Sequence, residues 1–408
     1  MAERTLVVFD DAVARDFLPF TLTRPAGELL FGALFQRQRL ERVTGTRCIG
    51  HLAAAHLADF DEPGAVRVLA PPVLARAASV LYLSSRAVPA WPSGPPALPD
   101  VGPALLTVGG EPCGWLAPPG TEPPPGFLDD PAHTATGDVA TYELGGYLLG
   151  RVWELVTGLE AQLARDIEAL APLRNAPVQS PGVYLLGDAA VVLGRGVRLD
   201  PQVVLDTRNG PIWLDEGVSV HPFTHLCGPA YVGPGSALLG DAIEGGAFGP
   251  HCKVHGQVEA SVMLGYCNKA HAGFLGHAYL GRWVNLGAMT TNSDLKNNYK
   301  PVEVWTPSGM ADTGEVKLGC FIGDHVKTGI GTLLNTGTVI GAGSMLYGAE
   351  LPPKLVAPFS WGCGEQLVPY DPDKFIEAAA AAMARRGIVM SDPERRQLRA
   401  AWRLGRPA

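Results

Sequence analysis

The sequence predicts an α/β amino-terminal domain, followed by a parallel β-helix and a short helical tail. The strongest of three observations is an aliphatic residue at every sixth position, which recurs at Leu214, Val220, Leu226, Val232, Leu238, Ile322, Leu334, Ile340 and Leu346. The other two are a helical pattern that ends near residue 170 and an alanine-rich segment near the carboxyl end. A six-residue period is too long for one strand's alternation and too short for helical repeats, but it matches one side of a β-helix coil.

Small residues follow a second register, two residues ahead of the aliphatic one, at Cys320, Val326, Thr332, Thr338 and Ser344. Both registers are expected inside the coil, stacked on their equivalents above and below. The content of 50 glycines and 36 prolines suits a repeat with a sharp corner after each short strand. The alternative is a sandwich or barrel of ordinary short strands, but five successive matches to the period favour the β-helix.

The amino-terminal domain is predicted over residues 1–176. Its pattern indicates strands at 6–9, 66–69 and 79–83, and helices at 31–40 and 150–170. The second helix carries apolar residues along one face, and Pro172 is expected to end it. The proline-rich stretches 89–103 and 118–126 are predicted to be surface loops or a lid.

The β-helix is predicted over residues 183–350 and the tail over 351–408. The six-residue period is interrupted at 240–281 and again at 292–318, where insertions are expected on the binding face. The tail contains an alanine-rich helix, residues 373–386, that ends in Arg385 and Arg386. We expect this helix either to cap the β-helix or to pack on a neighbouring subunit.

Composition excludes several classes of protein. The net charge of −8 over 408 residues disfavours general nucleic-acid binding, although it permits a local basic pocket for a phosphorylated substrate. The seven cysteines are scattered and form no Cys-x-x-Cys pair, which disfavours a disulfide framework or a zinc site. The sequence shows no signal region and no apolar run long enough to span a membrane, so a cytoplasmic location without membrane partners is expected.

The densest polar segment, residues 268–299, lies in the β-helix and is rich in His, Asn and Lys, which a coil interior does not require. It contains His271-Ala272-Gly273-Phe274-Leu275-Gly276-His277-Ala278 and Asn285-Leu286-Gly287-Ala288-Met289-Thr290. These runs resemble the motifs His-x-x-Tyr-Leu-Gly-x-Ala and Asn-Ile-Gly-Ala-Gly-Thr of the bifunctional N-acetylglucosamine-1-phosphate uridyltransferase/glucosamine-1-phosphate acetyltransferase family. The resemblance implies a left-handed β-helix, acetyl-CoA as acyl donor, and a homotrimer with the acyl-CoA site between neighbouring prisms.

The resemblance also implies roles for individual residues. His271 takes the position of the general base, Phe274 that of a Tyr, Asn285 that of a substrate-contacting Asn, and Ala288 that of a residue beside the thioester. Histidine suits this chemistry, because a neutral imidazole can accept the amine proton near pH 7. The oxyanion needs a preorganised donor, for which the backbone N–H near Ala288 is the candidate.

Departures from the motifs point to a changed acceptor sugar or a lost reaction. Phe274 lacks the Tyr hydroxyl, Met289 replaces a Gly, and Asp294 stands where an Asn is expected. Lys296 and Lys300 are candidates for contacting the phosphates of a sugar phosphate or of CoA, or else are solvated loop lysines. Among the other histidines of the β-helix, His277 is the plausible functional one, since it shares the polar segment with His271.

The segment Phe9-Asp10-Asp11, followed by Arg15 and by Leu18 to Leu29, resembles the opening of divergent sugar nucleotidyltransferase-like proteins that precede a hexapeptide β-helix. It lacks the glycine-rich loop that cradles a triphosphate. Arg24 is therefore either the remaining clamp for a phosphate or part of a structural salt bridge. Asp10 and Asp11 either help to hold Mg²⁺ or begin a turn.

Three functional hypotheses follow. The first is a sugar-phosphate transferase of nucleotide-sugar biosynthesis that acetylates an amino-sugar phosphate on the β-helix, with a nucleotidyltransferase-like domain before it. The second is a sugar-1-phosphate nucleotidyltransferase, using a nucleoside triphosphate and Mg²⁺, whose β-helix serves only oligomerisation and regulation. The third is a binding protein without catalysis.

Overall fold

The computed structural model describes residues 4–71, 78–92, 98, 102–134, 136–171, 181–348 and 350–405. Within them the chain forms a mixed α/β domain, a parallel β-solenoid and a helical tail, as the repeat and the helical patterns predict. None of the helices in these ranges has the length and apolar character needed to cross a bilayer.

The amino-terminal domain is built on a six-stranded mixed sheet. Its helices are α1 (Ala12–Arg15), α2 (Gln36–Thr44), α3 (Glu154–Thr157) and α4 (Leu159–Leu170), with 3₁₀ turns at Ala26–Glu28 and Ala55–Leu57. Its strands are β1 (Arg4–Phe9), β2 (Leu30–Phe31), β3 (Leu34–Phe35), β4 (Cys48–Leu52), β5 (Ser79–Ser84), β6 (Ala87–Val88), β7 (Ala104–Val108), β8 (Glu111–Ala117), β9 (Ala140–Glu143) and β10 (Tyr147–Leu148). The order in the main sheet is β4-β1-β5-β8-β7-β9, with β1 parallel to β4 and β5, and β8 antiparallel to both neighbours.

Two predicted helices differ from the observed ones. The helix expected over 31–40 begins only at Gln36, because β2 and β3 form a hairpin whose turn at Gly32 has a φ of 65°. The helix expected over 150–170 is divided at Gly158 into α3 and α4, and Pro172 lies outside the described residues. The predicted strand at 66–69 contributes only a bridge between Val68 and His51.

The β-solenoid carries short parallel strands on three faces, and one inserted pair of strands is antiparallel. In chain order they are β11 (Tyr184–Leu186), β12 (Val191–Leu193), β13 (Arg198–Leu199), β14 (Val204–Asp206), β15 (Ile212–Leu214), β16 (Ser219–Val220), β17 (Thr224–Val232), β18 (Ala237–Leu238), β19 (Asp241–Phe248), β20 (Lys253–Val254), β21 (Val258–Met263), β22 (Asn268–Lys269), β23 (Leu275–Gly276), β24 (Tyr279–Leu280), β25 (Thr291–Asn292), β26 (Glu303–Thr306), β27 (Gly309–Asp312), β28 (Phe321–Ile322), β29 (Lys327–Thr328), β30 (Leu333–Leu334), β31 (Val339–Ile340), β32 (Met345–Leu346) and β33 (Leu355–Val356).

Each of the three faces is a ladder of stacked coils. The first face contains β11, β14, the first halves of β17, β19 and β21, and then β23. The second face contains β12, β15, the second halves of β17, β19 and β21, and then β24, β28, β31 and β33. The third face runs through β13, β16, β18, β20, β22, β29 and β32, with Asn285 bridging Asn268 to Lys327.

The predicted interior registers are confirmed. Every aliphatic residue of the six-residue repeat is buried, and so are Cys320, Val326, Thr332, Thr338 and Ser344. Because the same positions recur in each coil, the apolar interior extends along the axis of the solenoid instead of closing into one globule.

The first interruption of the repeat is not an insertion. The stacked positions in successive coils are Val220, Leu238, Val254 and Lys269. The distance along the chain between them falls from 18 residues to 16 and then to 15, so the coils become shorter while the strands stay paired. The second interruption is an insertion, an antiparallel hairpin of β26 and β27. Lys269 occupies an interior position, where burial lowers its pKa to about 8, and its Nζ donates to the carbonyls of His255 and His271.

The tail contains a hairpin and two helices. The hairpin is formed by β34 (Ser360–Cys363) and β35 (Gln366–Pro369), and the helices are α5 (Pro372–Ala384) and α6 (Asp392–Leu404). The sequence predicted only the first helix. Both pack on a corner of the solenoid in a cluster that includes Trp283 and Phe375, and α6 also contacts the 3₁₀ turn at Ala55–Leu57.

The amino-terminal domain covers the second face of the solenoid. Outward-facing Trp213, Tyr231, Val262, Tyr279 and Phe321 join α3 and α4 in one buried cluster. Buried ion pairs also cross this interface, since Arg24 pairs with Asp324 and with Glu62, and Glu62 with Arg282. One face is therefore packed against the domain and one corner against the tail.

Candidate functional site

The polar segment at 268–299 winds through two coils, so its side chains emerge at different edges of the solenoid. His277 lies between the first and second faces, after β23, with a φ of 46°. Its Nδ1 lies 2.8 Å from Oδ2 of Asp294, which belongs to the next coil. Both side chains are mostly buried, at 19% and 12% exposure. A carboxylate in this position orients an imidazole and stabilises its protonated form.

Two further charges adjoin this pair. Ligand atoms of Glu259, His277 and Asp294 all lie within 4.8 Å of one another, and Nζ of Lys317 lies 2.8 Å from Oε1 of Glu259. The trio could hold a cation, but Lys317 already compensates one of its carboxylates. The Phe274 ring lies over Gly276, beside Asp294. The structure therefore brings together Phe274 and Asp294, both predicted site residues, around His277.

His271 and Ala288 lie at another edge, between the third and first faces. This edge is formed by stacked corners, in which Met289 N–H donates to the Ala272 carbonyl and Gly331 N–H to that of Ala288. The side chain of His271 is exposed, and no described residue hydrogen-bonds to its ring. The predicted base and the predicted thioester-side residue are thus close to each other but separated by a face from the His277–Asp294 pair.

Asn285 belongs to the third face. Its Oδ1 accepts a hydrogen bond of 2.8 Å from Nδ2 of Asn268 in the preceding coil, and Lys327 follows in the next. Lys296 and Lys300 lie between β25 and the inserted hairpin, where Nζ of Lys296 donates to the Pro301 carbonyl at 2.6 Å. None of these three residues lies with His277.

Arg24 is buried and fully occupied by protein carboxylates. Its guanidinium donates to both oxygens of Glu62 and, at 2.7 and 3.0 Å, to Oδ2 of Asp324. Burial opposes these charges, but the opposite partners raise the pKa of Arg24 and hold that of Glu62 at about 2. Of the two roles predicted for Arg24, the structural salt bridge fits this environment, because no side of the guanidinium is left for a phosphate.

Asp10 and Asp11 do not fit a magnesium site. Asp11 caps α1 through the Ala14 N–H, and its carboxylate pairs with Arg86 at 2.8 Å. A cation placed on it would lie against a guanidinium. Asp10 accepts from the Ala26 N–H at 3.0 Å, and burial raises its pKa, which disfavours the charged form that magnesium needs.

A cavity of about 600 Å³ opens at the edge of the sheet where β4 ends, under the loop at 118–126. Its described lining is apolar and acidic, with Tyr82, Glu122 and Asp129 among prolines, and none of the described lining residues is basic. Arg15 is nearby but pairs with Asp129. The described side chains of this lining would therefore repel a triphosphate.

Two features of the site were missed at the level of sequence. The first is the pairing of His277 with Asp294, which are 17 residues apart. Residues at this separation stack in adjacent coils only where one coil is 17 residues long, and the sequence does not give that local coil length. The polar ladder Lys253, Asn268, Asn285 and Lys327 was also missed, because its spacing follows the shortened coils and the hairpin insertion instead of the six-residue period.

Residues 6–175 match the family model described as sugar nucleotidyl transferase. A bifunctional sugar-1-phosphate nucleotidylyltransferase/acetyltransferase of Sulfurisphaera tokodaii is 34% identical over 22% of this chain and 23% of its own length. The bifunctional protein GlmU of Methanocaldococcus jannaschii is 28% identical over 28% of this chain and 26% of its own. The aligned segments thus span about a quarter of these relatives.

Among solved structures, an Arabidopsis UDP-N-acetylglucosamine acyltransferase aligns with a TM-score of 0.25 and 12% identity, covering 52% of this chain and 78% of that one, too low a likeness to support an argument. The family model and the curated relatives confirm the resemblance inferred from the sequence. The chain combines a domain that matches the sugar nucleotidyl transferase model with a parallel β-solenoid built on a six-residue repeat.

Proposed function

We propose that the protein is a sugar-phosphate transferase of nucleotide-sugar biosynthesis whose β-helix transfers an acetyl group from acetyl-CoA to the amine of an amino-sugar phosphate. The observation that carries the proposal is the His277–Asp294 pair, a carboxylate-oriented imidazole on the solenoid. The curated relatives support the reaction class, since two of them are named as bifunctional enzymes and one name includes acetyltransferase. The proposed base is therefore His277, six residues after the His271 favoured by the motif.

The reaction requires one side chain that accepts a proton from the amine and later releases it. The amine nitrogen attacks the thioester carbonyl, forming a C–N bond and an oxyanion. The imidazole accepts the amine proton, and Asp294 stabilises the imidazolium that results. Collapse of the intermediate breaks the C–S bond, and the proton passes to the departing CoA thiolate. Removal of such a base lowers the rate by about 10²–10⁴-fold.

The homotrimer is part of the proposal. Apolar side chains are exposed near the corners that carry His271, including Met289 at 56% and Ile330 at 78% exposure, with Leu333 on the adjoining strand. A second copy packed there would cover them and would set His271 and Ala288 at a subunit interface. The mass of the particle in solution, measured by light scattering, tests this part of the proposal.

The deciding experiment measures acetyl-CoA turnover and the N-acetylated product for a panel of amino-sugar phosphates. We expect His277→Ala to lose activity by about 10²-fold or more. His133→Ala is the matched control, because His133 also pairs with a carboxylate, Asp130, but is exposed and lies in the amino-terminal domain. Full activity in His277→Ala together with loss of activity in His271→Ala would show that His271 is the general base. Turnover by neither wild type nor variants would refute the acetyl transfer.

Nucleotidyl transfer is the second candidate, favoured by the family match over residues 6–175. It predicts magnesium-dependent release of pyrophosphate from a nucleoside triphosphate and a sugar 1-phosphate. The acidic lining of the cavity beside β4 and the pairing of Asp11 with Arg86 argue against it. The same substrate panel, assayed for release of pyrophosphate, distinguishes the two candidate reactions. The absence of turnover in both assays would favour a binding protein.

A further inference from the structure

A groove of about 530 Å³ lies between the third face of the solenoid and the tail helix α5. Its floor is the outward-facing ladder that stacks across consecutive coils, and its roof is the alanine-rich side of α5. The floor includes Lys253, Asn268, Asn285 and Lys327, and α5 contributes Arg385 and Arg386. Its volume is typical of small-molecule sites.

The groove concentrates positive charge without a counter-charge. It is lined by Lys253, Lys327, Arg385 and Arg386, and none of the described lining residues is an Asp or Glu. None of the four forms an ion pair with a described residue. Lys327 is largely enclosed, and burial lowers its pKa to about 8. Uncompensated positive charge in a partly enclosed site favours an anionic ligand, most of all one whose several oxygens can engage two guanidinium groups.

An aromatic wall adjoins these cations. The rings of Tyr266 and Trp283 stack with centroids 4.2 Å apart and planes at 20°, and His251 extends the stack at 5.0 Å from Tyr266. All three occupy equivalent corners of successive coils, at φ values of 55–62°. Because the ring faces are stacked on one another, the wall presents ring edges, against which a planar heterocycle can pack edge to face.

Two amides complete the lining. Asn268 donates to Asn285 through Nδ2, which leaves Oδ1 of Asn268 as an acceptor and Nδ2 of Asn285 as a donor for a ligand. These groups suit sugar hydroxyls or the polar edge of a base. The groove therefore combines phosphate-binding cations, the edges of an aromatic stack and neutral polar groups, which together suit a nucleotide.

We propose that this groove binds a nucleotide that carries a diphosphate, with the phosphates on Lys327, Arg385 and Arg386 and the base beside Tyr266 and Trp283. This proposal rests on the function proposed above, which offers two sources of such a nucleotide. One is the nucleotide half of CoA, and the other is a sugar nucleotide. The groove lies on the third face and His277 beyond the first, so binding and chemistry can be tested separately.

The test is isothermal titration of the full-length protein with ADP, UDP, CoA, dephospho-CoA and adenosine. We expect saturable binding of the diphosphates, no binding of adenosine, and weakening at high salt because the contacts are ionic. Tighter binding of UDP than of ADP and CoA would identify a sugar nucleotide as the source. Tighter binding of CoA than of UDP would identify the acyl donor.

The double variant Arg385→Gln/Arg386→Gln is expected to bind the preferred diphosphate at least tenfold more weakly. Lys374→Gln is its matched control, because Lys374 is exposed on the same helix but does not line the groove. Asn285→Ala provides a second test, at an uncharged residue in the floor of the groove. His277→Ala should bind normally, so that loss of catalysis and loss of binding remain distinguishable. Absence of saturable binding in the wild type, or equal affinity in the arginine and lysine variants, would overturn the proposal.

Discussion

The guanidinium of Arg24 lies 2.7 Å from the carboxylate of Asp324, a residue 300 positions later in the chain. Neither side chain is more than 3% exposed, and Glu62 and Arg282 extend the pair into a buried network. This network joins the amino-terminal domain to the solenoid. The orientation of the two parts therefore depends on buried charges that pair across their interface.

Arg24→Ala should destabilise the protein. Removing one member of a buried ion pair leaves the partner charge unpaired, at a cost of about 3–5 kcal/mol. The urea midpoint of unfolding measures the effect, and Arg195→Ala is the control, because the Arg195–Glu216 pair is exposed and should contribute at most about 1 kcal/mol. Wild-type stability in Arg24→Ala would instead mean that the buried ion pairs of Arg24 contribute no net stability.

Tyr279→Phe should also weaken the contact between the two parts. The Tyr279 hydroxyl donates to the Leu30 carbonyl and accepts from the Leu30 N–H, both at 2.9 Å, in a buried setting. The variant leaves both backbone groups unsatisfied, which costs about 1–3 kcal/mol. Thermal unfolding measures the loss. Tyr184→Phe, on an exposed strand of the first face, should leave the melting temperature unchanged.

Glu394 should make stability fall as the pH rises. Burial, aided by the charges of Glu62 and Asp61, raises its pKa to about 8 in the folded state, against about 4.3 for an unperturbed glutamate. The folded protein therefore holds a proton that the unfolded chain releases. The resulting stabilisation is complete below pH 4, declines as the pH rises, and is lost above pH 8, with a slope of at most about 1.4 kcal/mol per pH unit.

Glu394→Gln should remove this slope. Urea unfolding at several pH values between 5 and 8 should show the variant gaining on the wild type as the pH increases. Glu377→Gln, at an exposed position of α5, serves as the control and should run parallel to the wild type. Parallel curves for Glu394→Gln as well would mean that the carboxyl group titrates normally in the folded protein.

Asp294→Asn should lower the turnover number for acetyl transfer by at least about tenfold, since each 1.4 kcal/mol of lost transition-state stabilisation is a factor of ten. The reason is that an amide can still orient the imidazole of His277 but cannot stabilise its protonated form. The Michaelis constant for the amino sugar should change little. Steady-state kinetics measure both constants, and a variant with raised Michaelis constant and normal turnover would make Asp294 a substrate ligand instead.

The sequence accounted for the solenoid more completely than for the site. The interior positions Leu226 and Ile340 were predictable because a six-residue period repeats the same environment in every coil. The His277–Asp294 pair was not, because it depends on the length of one coil. The position of Arg24 was not predictable either, because its partners Glu62 and Asp324 lie in different parts of the fold.

By itself the sequence determined the order of the three parts, the interior registers of the coils and the segment in which polar side chains gather, because these follow from local patterns of apolar and polar residues. Only the tertiary structure decided which edge each polar residue occupies, which face the amino-terminal domain covers, and how α5 closes a cationic groove over Lys327. Those outcomes depend on the length of each coil and on the packing of surfaces that are distant in the chain. Local sequence patterns do not show either of them.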